Sequence, residues 1–543
     1  MKTGITKLTF LSASLLFSNA ILAQSASGDS GYFITTIGII AAVLFLGVLL
    51  MVADNLMLVE ANKAGVSKKG NFSLFPNLKE IFKPKLPKGI KVPAEKVTIL
   101  KKGYDMNLEG GITSDAVHVS KVSRFAIQPK NFLGLSPIPK VEVQVGDSVK
   151  AGDHIMFDKK NPAVRFTAPV SGEVIEINRG EKRSIKEIVI LADKELSART
   201  LETFNLKEGT REALVEYLLD SGFWPCIRQR PYHVMAEADV IPTNIFISTF
   251  NTAPLSPNLN VVIRGNETAF QKGLDVLGKL TDGKVHLGLS ATDASPVFKN
   301  AIGVEKNYFY GPHPAGNVGV QIHHTDPMKT SDKVWTLDVQ DVVNLGNMFL
   351  TYTYVQHKVV ALTGAELKAP KLVLTYAGAS LEELLKDNLK NPEARIISGD
   401  VLSGQQKDHN SYLNFFNDQI TVVEEGDEYE MFGWLKPIKD RPSVSGTYPN
   451  FLFGDTKFRA NTNTQGERRA FVLTGQYEEM MPMDILPQHL IKAIITNDYE
   501  RMEGLGIHEI VEEDIALAEF ACTSKQPLQK ILREGLDMMI DQG

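Results

Sequence analysis

From Tyr32 to Ala53 the chain reads YFITTIGIIAAVLFLGVLLMVA, with no charged side chain. An apolar run of that length predicts one membrane-crossing helix over 32–53. Ahead of it, Lys2 and Lys7 precede LTFLSASLLF and then ILAQ, the layout of a signal-like segment over 1–23 with a cleavage point near Ala23. Behind it, Lys63, Lys68, Lys69, Lys79, Lys83, Lys85, Lys88 and Lys91 alternate with prolines 76, 84, 87 and 93. This reads as a basic linker over 54–95 lying along an anionic membrane surface. The positive-inside rule then places the bulk of the chain on the cytoplasmic side of a single-pass anchor.

The pattern changes after 96. Between Val141 and Ile190, short alternating apolar runs broken by Gly-Asp, Asn-Pro and Ser-Gly predict a small all-β unit. From about 206 the period lengthens. LKEGTREALVEYLLDSGFW has helical spacing, with Gly209 and Thr210 at its start and Gly222 at its end. The runs VIPTNIFISTF and KVHLGLS read as strands, AFQKGLDVLGKL and DVVNLGNMFLTYTY as helices, so an α/β layer with a mostly parallel sheet is expected. After about 357 short strands return (KVVALTG, KLVLTY, ARIISGD, QITVVEEGDEYEMFGWL), with one helix at SLEELLKDNL that Ser380 and Glu383 are spaced to cap. Beyond 476 only helical spacing remains.

At 543 residues the chain holds about three or four domains. A net charge of −6 without a basic stripe argues against a nucleic-acid partner. Two cysteines, Cys226 and Cys522, cannot supply the four thiolates of an iron-sulfur cluster.

The stretches KKGYDMNLEGG, VGDSVKAGDHIMFDKKNPAVRFTAPVSGEVIEINRGEKR, SGFWPCIRQRPY, GPHPAGNVGVQIHHTDP, RIISGDVLSG, FGWLKP, MPMDILPQHLIKAIITND and EEDIALAEFACTSK occur in that order. On them the chain resembles the A subunits of the sodium-translocating NADH:quinone oxidoreductases, over about residues 100–543. The resemblance implies an α+β multidomain protein: a barrel-sandwich domain of biotinyl/lipoyl type (96–200), an α/β domain similar to the flavin subunit of respiratory complex I (201–356), a β-grasp-like module (357–475) and a helical end (476–543). It implies a bacterial inner-membrane complex that passes NADH electrons through FMN, riboflavin and Fe-S centres to quinone while exporting sodium. Within it this chain sits at the later, semiquinone-to-quinol half of the reaction, beside other subunits (B to F) and chiefly the membrane-embedded B subunit. A scaffold that clamps the membrane subunits without touching quinone is the rival reading. The membrane helix at the front departs from the family pattern.

No complete active site is expected in this chain, and no cofactor or metal bound by it. Where a nucleotide loop of the α/β domain needs glycines, Phe223, Trp224 and Pro225 stand beside a single Gly222, and Pro225 has no N–H to donate. Lys159 and Lys160 sit on a carrier-like hairpin, but the flanking residues of true lipoyl or biotinyl carriers are missing, so two solvated lysines are the favoured reading. The loop YFYGPHPAGNVGVQIHHTDP spaces Gly311 and Gly316 like a phosphate loop, yet Asn317 holds the lysine position. If the segment is extended, His323 and His324 point to opposite faces and cannot join His313 around one metal. The residues left as quinone-proximal are Phe125, Phe132, Leu133 and Leu135 in the first domain and Tyr308, Tyr310, His313 and His323 in the second. His323, His324 and Asp326 also have the composition of a proton donor.

Overall fold

The computed structural model describes residues 37–49, 52–53, 87, 89–90, 92–93, 96–136, 138–426, 428, 441–444, 456–472 and 475–542. The chain divides into two units, Met1–Lys88 and Gly89–Gly543. In the first, helix is described at 37–49 and 52–53, with Val43, Leu44 and Phe45 exposed. No helix among the described residues is long and apolar enough to cross a membrane. The described residues thus do not support the spanning helix expected over 32–53, of which positions 32–36, 50 and 51 lie outside them. Residues 1–23, and all of the basic linker but a few positions near its end, lie outside the described residues.

Among the described residues the second unit is built on four sheets. One sheet has seven strands in the order Val97–Ile99, Glu305–Tyr310, Lys284–Ser290, Asn244–Ser248, Val334–Thr336, Arg228–Arg230, Val234–Met235. The first five are parallel and the last two join antiparallel. Lys284–Ser290 is buried along nearly its whole length, as a parallel strand covered on both faces must be. Helices Glu267–Leu277 and Val339–Thr351 pack beside each other against this sheet through Phe270, Leu274, Val342 and Leu345.

The barrel-sandwich domain pairs a sheet of Arg124–Ile127, Ile185–Ala192, Gly172–Arg179 and Ser148–Val149 with one of Lys140–Val141, His154–Phe157 and Arg165–Thr167. Two strands that precede its first strand go elsewhere: Val97–Ile99 extends the α/β sheet, and Val117–Val119 extends the sheet of the following module. Sequence spacing carries no sign of this, since three-residue strands lack a readable period.

That module is a six-stranded sheet, ordered Gln405–Lys407, Arg395–Ser398, Gln419–Val423, His357–Thr363, Lys371–Tyr376, Val117–Val119. The expected cap on its short helix, Leu381–Leu384, is absent: the Ser380 side chain makes no capping bond. Glu383 instead turns to the barrel, accepting from Arg124 Nε at 2.8 Å and from the Ser123 amide at 2.5 Å. A charge-assisted contact outcompetes a local cap.

The helical end comprises Gln476–Met480, Pro487–Ile495, Tyr499–Gly504, Glu512–Ala521 and Leu528–Gln542. Its core holds Ile491, Leu517, Leu532 and Leu536, and it is continuous with Leu100, Phe309, Ala315 and Val320 of the α/β domain.

Candidate binding cleft at the carboxyl ends of the parallel strands

Strand Asn244–Ser248 lies at a reversal in the sheet. The chain leaves it for Lys284–Ser290 and Glu305–Tyr310 on one side, then returns to Val334–Thr336 on the other. In open α/β sheets such a reversal opens a crevice beyond the carboxyl ends of the strands. Here a cleft of about 340 Å³ occupies that place, lined by Phe250, Thr252, Asn258, Ser290, Asp293 and Tyr310 among others.

Several polar groups of the lining are spent on their own turns. Asn251 Oδ1 accepts from the Ala253 amide at 2.8 Å, and Asn258 Oδ1 from the Asn260 amide at 3.0 Å. Ser290 Oγ accepts from the Asp293 amide at 3.2 Å. The amide NH2 groups of Asn251 and Asn258 and the Tyr310 hydroxyl have no partner among the described residues. The cleft thus offers donors beside the rings of Phe250, Phe309 and Tyr310.

Behind it stands His313, which is 3% exposed. Its amide donates to Asp105 Oδ1 at 2.8 Å, and its carbonyl accepts from the Tyr104 amide at 2.9 Å. Its Nδ1 lies 3.1 Å from Thr252 Oγ1, and that oxygen also accepts from the Gly316 amide at 3.0 Å. With one lone pair occupied, the hydroxyl is set to donate to Nδ1, which fixes the neutral ring with its proton on Nε2. Burial lowers the His313 pKa and agrees with that state, while Asp400, Asp105 and Asp514 oppose it.

The other predicted residues do not converge on the cleft. Phe125 is in the main core, edge-on to Tyr376 at 5.8 Å. Phe132 is enclosed by Phe166, Phe415 and Phe416 at 4.7, 4.8 and 5.5 Å. Leu133 uses its carbonyl to accept from Met235, and Leu135 packs on the main core, as does Tyr308. Phe309 is an exception: it lines the cleft and also belongs to the core shared with the helical domain.

His323 and His324 lie on a helix, Val318–Thr325, not on an extended segment. Gly316 and Pro314 suggest a break, but both precede the first turn. His323 Nε2 accepts from the Asp484 amide at 3.0 Å, so its Nδ1 carries the proton toward Glu509 Oε2 at 2.9 Å. His324 Nε2 donates to the Pro482 carbonyl at 2.5 Å, and Asp326 Oδ2 accepts from Asn244 Nδ2 at 2.7 Å. All three are occupied in holding structure together.

Beneath this helix Arg230, fully buried, donates to Asp514 Oδ2 at 2.9 Å and to Glu513 Oε1 at 2.8 Å. A Cβ on Gly319 would collide with the Asp514 carboxylate and stand 2.7 Å from Arg230 Nη1, so only glycine admits the pair. Arg533 pairs with Glu512 Oε2 at 2.7 Å within the helical domain, and from there donates to the Tyr232 carbonyl at 3.1 Å. The Arg230 ion pairs and the Arg533–Tyr232 bond fasten the helical domain to the α/β domain.

The segment that would have to cradle a pyrophosphate is core. Phe223 and Trp224 are fully buried, Trp224 edge-on to Trp335 at 5.4 Å, with its indole N–H donating to the Ala236 carbonyl at 2.7 Å. Gly222, at φ 77°, is spent on the barrel: a Cβ there would run into the Thr167 side chain. A nucleotide phosphate does not fit on these residues. Lys159 and Lys160 are exposed on their turn.

Thr252 escaped the sequence reading. Its signal is the run STFNTAPLSPN, rich in turn formers and placed directly after a parallel strand.

Three family models match: the NqrA N-terminal barrel-sandwich hybrid domain over residues 98–193, the NqrA second alpha/beta domain over 209–354, and the NQRA C-terminal domain over 359–408. The A subunit of the Na(+)-translocating NADH-quinone reductase of Photorhabdus laumondii is 37% identical over 447 residues, covering 82% of this chain and 99% of that one. Its counterpart in Saccharophagus degradans is 38% identical over the same length and coverage.

Proposed function

The chain belongs to the NqrA family, the A subunits of the Na(+)-translocating NADH-quinone reductases, and we propose that within such a complex it holds a quinone headgroup at the carboxyl ends of its parallel strands. The observation that carries this is the set of unpartnered donors, Asn251, Asn258 and Tyr310, on a cleft walled by aromatic rings. A quinone presents two acceptor oxygens across a flat apolar ring, which such a lining matches. A cleft of about 340 Å³ is of headgroup size.

Electrons come from centres on other subunits. The chain's own contribution is position and a proton: Thr252 gives its hydroxyl proton to the reduced oxygen and is resupplied from His313 Nδ1, once that ring has taken a proton. Burial makes the imidazolium a strong donor. Support for the reading comes from the 3.1 Å Thr252–His313 contact. In this proposal the α/β domain carries no flavin, the soluble domains lie on the cytoplasmic side against the membrane-embedded B subunit, and sodium export is a property of the whole assembly.

Steady-state kinetics of the assembled complex test it. Tyr310→Phe and Asn258→Ala each raise the KM for quinone several-fold, about the worth of one lost hydrogen bond, and leave NADH-driven reduction of the upstream flavins unchanged. An unaltered KM in both variants contradicts the assignment.

A further inference from the structure

A second cleft, about 950 Å³, lies away from the proposed quinone site, between the Glu512–Ala521 helix, the turn that follows it and the segment 460–468. Three cations line it, Arg441, Arg468 and Lys525. None of these side chains makes a hydrogen bond or close ion pair with another described residue, although Arg468 acts on the Glu519 carboxylate through its charge.

Lys525 is held in place by its turn. Its φ is 52°, in the left-handed region that a Cβ disfavours. The turn is fixed by the Arg469 amide on the Ser524 carbonyl at 2.9 Å, by Ser524 Oγ on the Ala470 carbonyl at 2.9 Å, and by the Gln526 amide on Cys522 Sγ at 3.4 Å. Burial and the neighbouring Arg441 lower the lysine's pKa, as does Arg469, with Cys522 opposing. Two acids share the lining, Glu467 and Glu519. Glu519 is engaged by the Gln529 amide at 2.8 Å, and burial raises its pKa. Three cations against two acids leave the concave lining with an excess of positive charge that an anion would balance.

We propose that this cleft binds a small phosphate-bearing polyanion, with Arg441, Arg468 and Lys525 as its counter-charges. A concave lining of this volume suits a small molecule more than a flat protein contact.

Calorimetric titration of the full chain with inorganic pyrophosphate, and separately with a nucleoside diphosphate, tests this against sodium chloride at matched ionic strength. Saturable one-to-one binding is expected, weakened about tenfold or more by Lys525→Gln and by Arg468→Gln, the loss of one charged hydrogen bond. Arg468 is exposed, so that variant folds regardless of the result. Without ligand, Lys525→Gln unfolds at the same or a higher temperature, because a repulsion is removed. Heats no larger than those of chloride, or undiminished binding by both variants, overturn the proposal. Saturable binding of hexaglutamate alone also overturns it, in favour of an acidic protein partner. Neither result bears on the quinone KM, so the two proposals fail separately.

Discussion

His313 and His323 stand ten residues apart on one glycine-rich stretch, and the sequence offers both as quinone-proximal candidates. Their surroundings separate them. His323 has both ring nitrogens engaged, by the Asp484 amide and by Glu509, and it joins the helix to the helical domain. His313 has its Nδ1 against a threonine that lines a cleft. The lesson is that a histidine's role lies in what its second nitrogen faces. One end of this stretch serves fastening and, in the proposed function, the other serves the cleft, so a substitution at one end is expected to leave the other unchanged.

The largest effect falls on the fastening. Arg230→Met leaves the buried Asp514 without its counter-charge and costs about 3–5 kcal/mol, read by urea unfolding of the full chain. A loss below about 1 kcal/mol contradicts the clamp. Next comes the cleft: His313→Gln lowers quinone reduction by the assembled complex on the order of 100-fold, with upstream flavin reduction intact. Full turnover in this variant breaks the proton route. Gly319→Ala drives a methyl into the Arg230–Asp514 pair and destabilises by about 1–3 kcal/mol, and its quinone KM stays unchanged if the two ends are independent. His323→Gln costs about 1 kcal/mol and leaves turnover alone. A turnover defect there merges the two ends.

The smallest effect is in pH. Burial lowers the His313 pKa, so below the ordinary histidine value of about 6.5 the unfolded chain binds more protons than the folded one. Its stabilising contribution is complete above that pH and is lost as pH falls toward the lowered folded value. Asp105, Asp400 and Asp514 oppose the shift and narrow the window. In His313→Gln the slope of unfolding free energy against pH flattens below about 6.5. An identical slope in both proteins shows that the ring does not change its protonation there.

Much of the fold was legible. Thr210 caps its helix by accepting from the Ala213 amide at 3.3 Å, and Gly222 ends it in the left-handed region, as their positions suggested. The alternation of strand-like and helical runs announced a mostly parallel sheet. The strands Val97–Ile99 and Val117–Val119 were hidden because pairing partners more than 200 residues away decide them. The helix under His323 was hidden by Gly319, whose weak helical propensity is overridden by the need for contact with Asp514. The cleft itself draws on residues 250–260, 290–293 and 309–311, and only the strand order brings them together. Tyr310 and His313 could be picked from their chemistry. Thr252 and the Arg441, Arg468 and Lys525 group could not, since nothing local marks a hydroxyl or a surface cation that faces a cavity.

The most direct measurement is photo-crosslinking of the assembled complex with a quinone bearing a photoreactive ring, followed by peptide mapping. Label is expected on this chain within Phe250–Asn258 or Tyr310–His313, competed by unlabelled quinone and reduced in Tyr310→Phe. Label confined to other subunits, or to this chain's Phe132 region with the cleft untouched, contradicts a quinone seat at the strand ends.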